Sequence, residues 1–247
     1  MSFVDANYFS THLKELPIKS SYKKSDLLIN TFRLKSDGDI EIFYSPHNEY
    51  INVSAKVILV GITPGWQQME IAYRTAIHSL QEHKSYEEAC KQAKMAARFA
   101  GTTRTNLIEM LQEIGIHSLL GVQSAKQLFD PQCTLLHTTS LIRYPVFVSK
   151  QNYNGHKPSL IKNAFLNEAA KKSFLAEFAM LENPFIIPLG KSVESYLMEL
   201  IENEMIENCN IMWGFPHPSG ANGHRLQQFE SAKDGMKQIV SRLLKLY

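Results

Sequence analysis

Apolar runs of strand length recur along the chain, separated by longer stretches with helical spacing. Lys56-Val57-Ile58-Leu59-Val60-Gly61 is aliphatic throughout and stops at glycine, as a strand buried on both faces of a parallel sheet does. Further strands are predicted over 134–139 (Thr134-Leu135-Leu136-His137-Thr138-Thr139), 185–188 and 210–213, and an alternating segment over 40–44 predicts a short one. Between 68 and 98, Ile71, Ala76, Leu80, Ala89, Ala93 and Ala97 recur at helical spacing among Glu, Lys and Gln, with a break near Lys84-Ser85 and a capping box from Ser85 and Glu88. Helices are also predicted over 105–114, closed by Gly115, through Phe165, Phe174, Phe178 and Leu181, over 193–201, and over 226–246 with Phe229, Met236, Ile239, Val240 and Leu243 on one face. Residues 144–158 read as a polar loop.

Strands alternating with helices imply an α/β fold, a three-layer α/β/α sandwich around a central, mainly parallel sheet. Ligands in such folds bind outside the carboxyl ends of the strands, so the site is expected in the loops after Gly61, Thr139 and Trp213. Residues 1–50 are expected to be a lead-in packed on the core, with a mixed basic stretch at Lys19, Lys23 and Lys24. Residues 51–247 then form one α/β domain with a helical insertion over 69–98.

Composition narrows the function classes. Of 247 residues, 44% are hydrophobic and 20% charged, which suits a globular domain and argues against disorder. The apolar runs are too short for a transmembrane helix, and the start Met1-Ser2-Phe3-Val4-Asp5 has no secretory pattern, so a cytoplasmic protein is expected. Cys90, Cys133 and Cys209 lie far apart without a Cys-x-x-Cys pair, which points away from a disulfide framework, a zinc site or an iron-sulphur cluster and toward core filler. No metal or cofactor is expected. A net charge of +2 means that any nucleic-acid contact must come from a local basic face.

Two loops carry a resemblance. Gly61-Ile62-Thr63-Pro64-Gly65, directly after a hydrophobic strand, resembles the first motif of the uracil-DNA glycosylase superfamily, and His217-Pro218-Ser219-Gly220, close before the final helix, resembles the second. Phe99-Ala100-Gly101 leading into Asn106-Leu107-Ile108-Glu109-Met110-Leu111, and Pro188-Leu189-Gly190-Lys191-Ser192-Val193, are similar to the segments between those motifs in thermophilic-type members. The resemblance covers roughly 55–245. It implies a monomeric, metal-free DNA glycosylase that flips a base from DNA and hydrolyses its bond to the sugar, without strand cleavage through a Schiff base. The chain departs from thermophilic-type members in lacking four cluster cysteines, and from the superfamily in the insertion over 69–98.

The resemblance also assigns roles. His217 stands where the family's histidine donates a hydrogen bond to an oxygen of the departing pyrimidine, a task within reach of imidazole. Thr63 stands where most members carry Asp, Asn or Glu; a hydroxyl can orient water but is no general base at neutral pH. Glu70 is the candidate for the missing carboxylate, with a purely helix-stabilising role equally open. Beside Ile62, Trp66 is placed to stack on a flipped base. His137, Thr138 or Thr139 stands in for the asparagine that reads uracil in several members, so the expected substrate is a pyrimidine, with a modified cytosine such as those that shield phage DNA preferred over uracil, in a role of antiviral defence more than repair. Ser219 and Gly220 resemble the loop that pinches the DNA backbone, and His224 or Arg225 would fill the emptied stack. Lys157 is the first choice for a phosphate contact, with Arg143, Lys150 and His156 nearby in sequence. A non-catalytic DNA or modified-base binding module on the same fold, and a hydrolase of free nucleosides, remain as alternatives.

Overall fold

The computed structural model describes residues 4–207 and 210–245, so Cys209 lies outside the described residues. The helix α1 (Ala6–Glu15) and the single turn α2 (Lys24–Leu27) lead into a hairpin of β1 (Arg33–Asp37) and β2 (Ile40–Phe43). Then come β3 (Val57–Gly61), α3 (Trp66–Gln81), α4 (Tyr86–Ala97), α5 (Thr102–Glu113) and the short α6 (Ile116–Leu119). The second half holds β4 (Leu136–Ser140), β5 (Val146–Val148), β6 (Gln151–Asn152), α7 (Ala164–Phe178), β7 (Phe185–Pro188), α8 (Lys191–Glu202) and α9 (Arg225–Leu243).

The central sheet is parallel in the order β4-β3-β7. Ile211 extends it through one parallel bridge to Ile186, so the strand predicted over 210–213 shrinks to a bridge before the chain turns at Gly214 (φ +87°). Alternate residues of β3 serve two cores, which makes the three layers. Ile58 and Val60 pack with α3, α4, α7 and α8, and Val57 and Leu59 pack with α5, α6 and α9. Phe9, Leu13, Phe32, Ile40 and Ile42 from the first fifty residues belong to the former core. No helix among the described residues is long and apolar enough to cross a membrane.

A second, antiparallel sheet in the order β1-β2-β5-β6 departs from the polar-loop reading of 144–158. Val146-Phe147-Val148 is short, but every position is β-branched or aromatic, and it pairs with β2 through Ile42↔Val146 and Ile40↔Val148. Ser149 and Lys150, both at positive φ, make the two-residue turn into β6, the backbone that suits a tight hairpin.

The expected break in the 68–98 helix falls between α3 and α4. Ser85 Oγ accepts from the Glu88 amide at 3.2 Å, while the Glu88 carboxylate accepts from Gln92 instead of returning to Ser85, so the capping box is half formed. At the other end of α4, the Arg104 guanidinium donates to the carbonyls of Met95, Ala96 and Arg98 at 2.7–3.3 Å. It thereby satisfies the helix's terminal acceptors at the corner where Phe99 takes a left-handed backbone (φ +50°).

Candidate functional site

The first motif follows β3. A Cβ at Gly61 would meet Ser140 Oγ at 3.4 Å and the Phe99 ring at 3.8 Å, so the strand end, β4 and the α4–α5 corner converge here. Thr63 Oγ1 donates to the Tyr144 carbonyl at 2.8 Å and accepts from the Val146 amide at 3.0 Å. The hydroxyl therefore fastens the loop to the chain entering β5. Ile62 packs over Gly155 so closely that a Cβ there would sit 2.6 Å from it. Trp66, half-buried against the core, opens α3 with its amide donating to Asn152 Oδ1 at 2.9 Å. Glu70 accepts from the Tyr22 amide and pairs with Arg74, both at 3.2 Å.

Behind Pro64 lies a narrow cleft lined by Gln68 of α3, Lys94 and Arg98 at the end of α4, Phe99, His47 and Asn48 from the turn at 46–48, and Thr138, Thr139 and Ser140 of β4. It is partly open to solvent, and the space within it is about 10 Å³, room for roughly one water. Its lining holds buried polar atoms that have no hydrogen-bond partner among the described residues: His47 Nε2, Asn48 Nδ2 and Arg98 Nε. Lys94 is 4% exposed, and no described residue gives its ammonium a hydrogen bond or close ion pair. Burial pushes this lysine down to about 8, against the pull of the Glu177 carboxylate and with Arg143 and Arg98 adding to the shift. Burial also holds His47 well below the usual imidazole range, so it is neutral, with Nδ1 2.9 Å from Ser45 Oγ.

His137 sits one residue before the cleft-lining threonines, in a buried network instead. Its Nδ1 accepts from the Asn52 amide at 3.5 Å and its Nε2 donates to Glu177 at 2.6 Å; Glu177 in turn accepts from Arg143 Nε at 3.0 Å. The paired Arg143 guanidinium and the His137 hydrogen bond hold the Glu177 carboxyl far below its usual range despite burial, which works the other way.

The second motif lies over the carboxyl end of β7. Gly190 (φ +91°) donates its amide to the Phe215 carbonyl at 2.9 Å, and a Cβ there would sit 3.0 Å from that of His217, so this close crossing requires glycine. The Ser219 amide donates to His217 Nδ1 at 3.2 Å, which puts the ring proton on Nε2, and burial lowers the pKa and keeps the ring neutral. Asn106 of α5 donates to the Pro218 carbonyl at 2.8 Å, and Gly220 lies beside Thr102. Arg225 opens α9 with Nη1 3.5 Å from the Ser219 carbonyl, and exposed His224 precedes it.

No protein-family model matches the chain. The uncharacterized protein YoxB of Bacillus subtilis (strain 168) is 44% identical to it over 224 residues, 90% of this chain and 88% of that one. The chain belongs to the YoxB family. The crystal structure of wild-type SMUG2 from Pedobacter heparinus resembles this YoxB-family chain with a TM-score of 0.45 and 13% identity, over 97% of this chain and 98% of that chain.

Of the residues singled out from sequence, Thr138 and Thr139 line the cleft together with Pro64. His217, Ser219, Gly220 and Arg225 share one loop against the start of α5. Ile62, Trp66, Glu70 and His137 stand outside the cleft lining, each with the partners given above. Lys157 is exposed; Lys150 pairs with Glu41, and His156 lies 3.5 Å from Ser192. His47, Asn48, Gln68, Lys94, Arg98, Phe99 and Ser140 are the cleft residues to which sequence reasoning gave no role, although Phe99 belonged to a motif already noted. Among the described residues no group of three or more His, Cys, Asp or Glu could hold a metal.

Proposed function

We propose that this YoxB-family chain is a monofunctional DNA glycosylase that draws a flipped pyrimidine toward the cleft behind Pro64 and hydrolyses its bond to the sugar. The observation that carries the reading is that cleft: buried donors without partners among the described residues, at the carboxyl ends of parallel strands, with Pro64 of the first motif loop in the lining. In the reaction the C1′–N1 electron pair leaves with the base, a water oxygen bonds to C1′, and a water proton passes to solvent. His217, neutral with its proton on Nε2, supplies the donor for the oxygen on which the base's negative charge grows. Thr63 and Glu70 are both engaged elsewhere and no carboxylate lines the cleft, so the rate rests on stabilising the leaving base more than on activating water. We draw the base as a compact oxo-pyrimidine. The modified cytosine expected from sequence, and the defence role that went with it, find no support in a lining this rich in donors.

The engagement of Thr63 and Glu70 equally favours a second reading, a module that binds such a base without cutting it. Base release from matched DNAs carrying uracil, cytosine or glucosylated hydroxymethylcytosine, scored as alkali-labile abasic sites, separates the two. The glycosylase reading expects release from the uracil DNA and a loss of about 10²- to 10³-fold in His217→Ala. Binding without release from any of the three establishes the module.

A further inference from the structure

We propose that the inserted helix α4 supplies a base-reading residue, Lys94, whose ammonium, together with the Asn48 amide, takes the carbonyl edge of an oxo-pyrimidine and rejects the amino edge of cytosine. The inference rests on the reading above for its ligand class, but the two residues it uses belong to neither motif. Lys94 and Asn48 come from different parts of the fold, α4 and the turn at 46–48, and both line one cleft. Each is more than nine-tenths buried; the Asn48 amide nitrogen is fully buried without a hydrogen-bond partner among the described residues, and Lys94 makes no hydrogen bond or close ion pair with any of them. Burying an amide without a partner costs roughly 1–3 kcal/mol and burying an ammonium more, so a fold that keeps both there holds them for a ligand that arrives with acceptors. His47, neutral and with Nε2 also unpartnered, completes the polar side.

The groups facing Lys94 decide its charge. Burial pushes its proton off most strongly, and Arg143 after β4 and Arg98 near the end of its own helix add to this, while Glu177 of α7 and Glu49 beside the turn retain it; buried His47 and the His137 ring of β4 are neutral. The balance leaves Lys94 near 8. It is therefore mostly an ammonium at neutral pH, about half amine one pH unit higher, and mostly an amine only above that. An amine still donates, but without the charge that makes the hydrogen bond strong.

The test measures binding to two DNAs that resist hydrolysis and differ in one base, 2′-fluoro-2′-deoxyuridine or 2′-fluoro-2′-deoxycytidine, by fluorescence anisotropy at pH 6.5 and 8.5. Wild type is expected to prefer the uridine DNA by about tenfold at pH 6.5 and by less at 8.5. Lys94→Met should bind both within about twofold at either pH, because one charged hydrogen bond carries most of the difference. Lys94→Met should also melt no lower than wild type, since a buried, unpaired ammonium gives way to an apolar chain of similar length. Asn48→Ala, which removes an amide whose nitrogen has no hydrogen-bond partner among the described residues, should lose part of the preference and serves should Lys94→Met fail to fold. Undiminished preference in either folded variant overturns the inference, as does a wild type that treats the two DNAs alike. Preference that depends on Lys94 without release from the hydrolysable DNAs overturns the glycosylase reading alone.

Discussion

Replacing Glu177 by glutamine should destabilise the fold severely, and the structure sets the size of the effect. The carboxylate is 3% exposed and accepts from three donors on two residues, Arg143 Nε, Arg143 Nη2 and His137 Nε2. An amide can turn only one acceptor toward them, so its NH₂ must face a donor, and the Arg143 guanidinium loses the buried carboxylate to which it donates twice. Breaking a buried pair at one end costs about 3–5 kcal/mol. For a chain of this size each kcal/mol moves the melting temperature by about 2–4 °C, so a drop of roughly 6–20 °C is expected. Urea titration followed by circular dichroism gives the free energy directly. The double variant Glu177→Met with Arg143→Met removes both charges and should recover more than half of the loss. A single-variant loss under about 1 kcal/mol would refute the reasoning, because it would mean that water or another group already carries the Arg143 charge.

Thr63→Val removes a donor to Tyr144 and an acceptor for Val146 at once and should cost about 2–3 kcal/mol in urea titration, with Thr63→Ser restoring most of it. A Val variant of wild-type stability that no longer releases base would instead place Thr63 at the water. Stability should also fall with acid. Burial depresses His47 and His137 in the folded state, so below pH of about 6.5 the unfolded chain takes up protons that the folded chain refuses, at about 1.4 kcal/mol per pH unit for each histidine. Glu177, depressed in the folded state as well, loses its contribution only below the ordinary carboxylate range, outside this window. Urea midpoints that do not change between pH 7.5 and 5.5 would contradict this account.

The parallel sheet was legible because Val57–Gly61 is apolar at nearly every position, a pattern that needs no knowledge of its partners. The antiparallel sheet was hidden because β5 has three residues and β6 two, and the pairing of β5 with β2 spans about a hundred residues of chain. At the site, Thr138 and Thr139 were readable from the end of a recognised strand. His47 and Asn48 sit in a turn with no periodicity and carry no sequence signal. Lys94 carried one that went unused: it continues the buried stripe Cys90, Ala93, Ala97 of α4, where a lysine is out of place on an amphipathic helix. Trp66 drew attention by its type, whereas Phe99, the aromatic that lines the cleft, drew it only as part of a spacing.

The two ends of the inserted helix α4 differ in how much change they can absorb. Its start follows an exposed turn at 82–85, where added residues would loop into solvent. Its end is tied by one guanidinium to three carbonyls beside a left-handed phenylalanine. One extra residue at 99–101 would rotate Lys94 and Arg98 relative to the sheet and tear those bonds. Length variation among YoxB-family chains should therefore gather at the α3–α4 turn and spare the α4–α5 corner, and a reporter peptide spliced in at 83 is the insertion this protein should accept with its cleft intact.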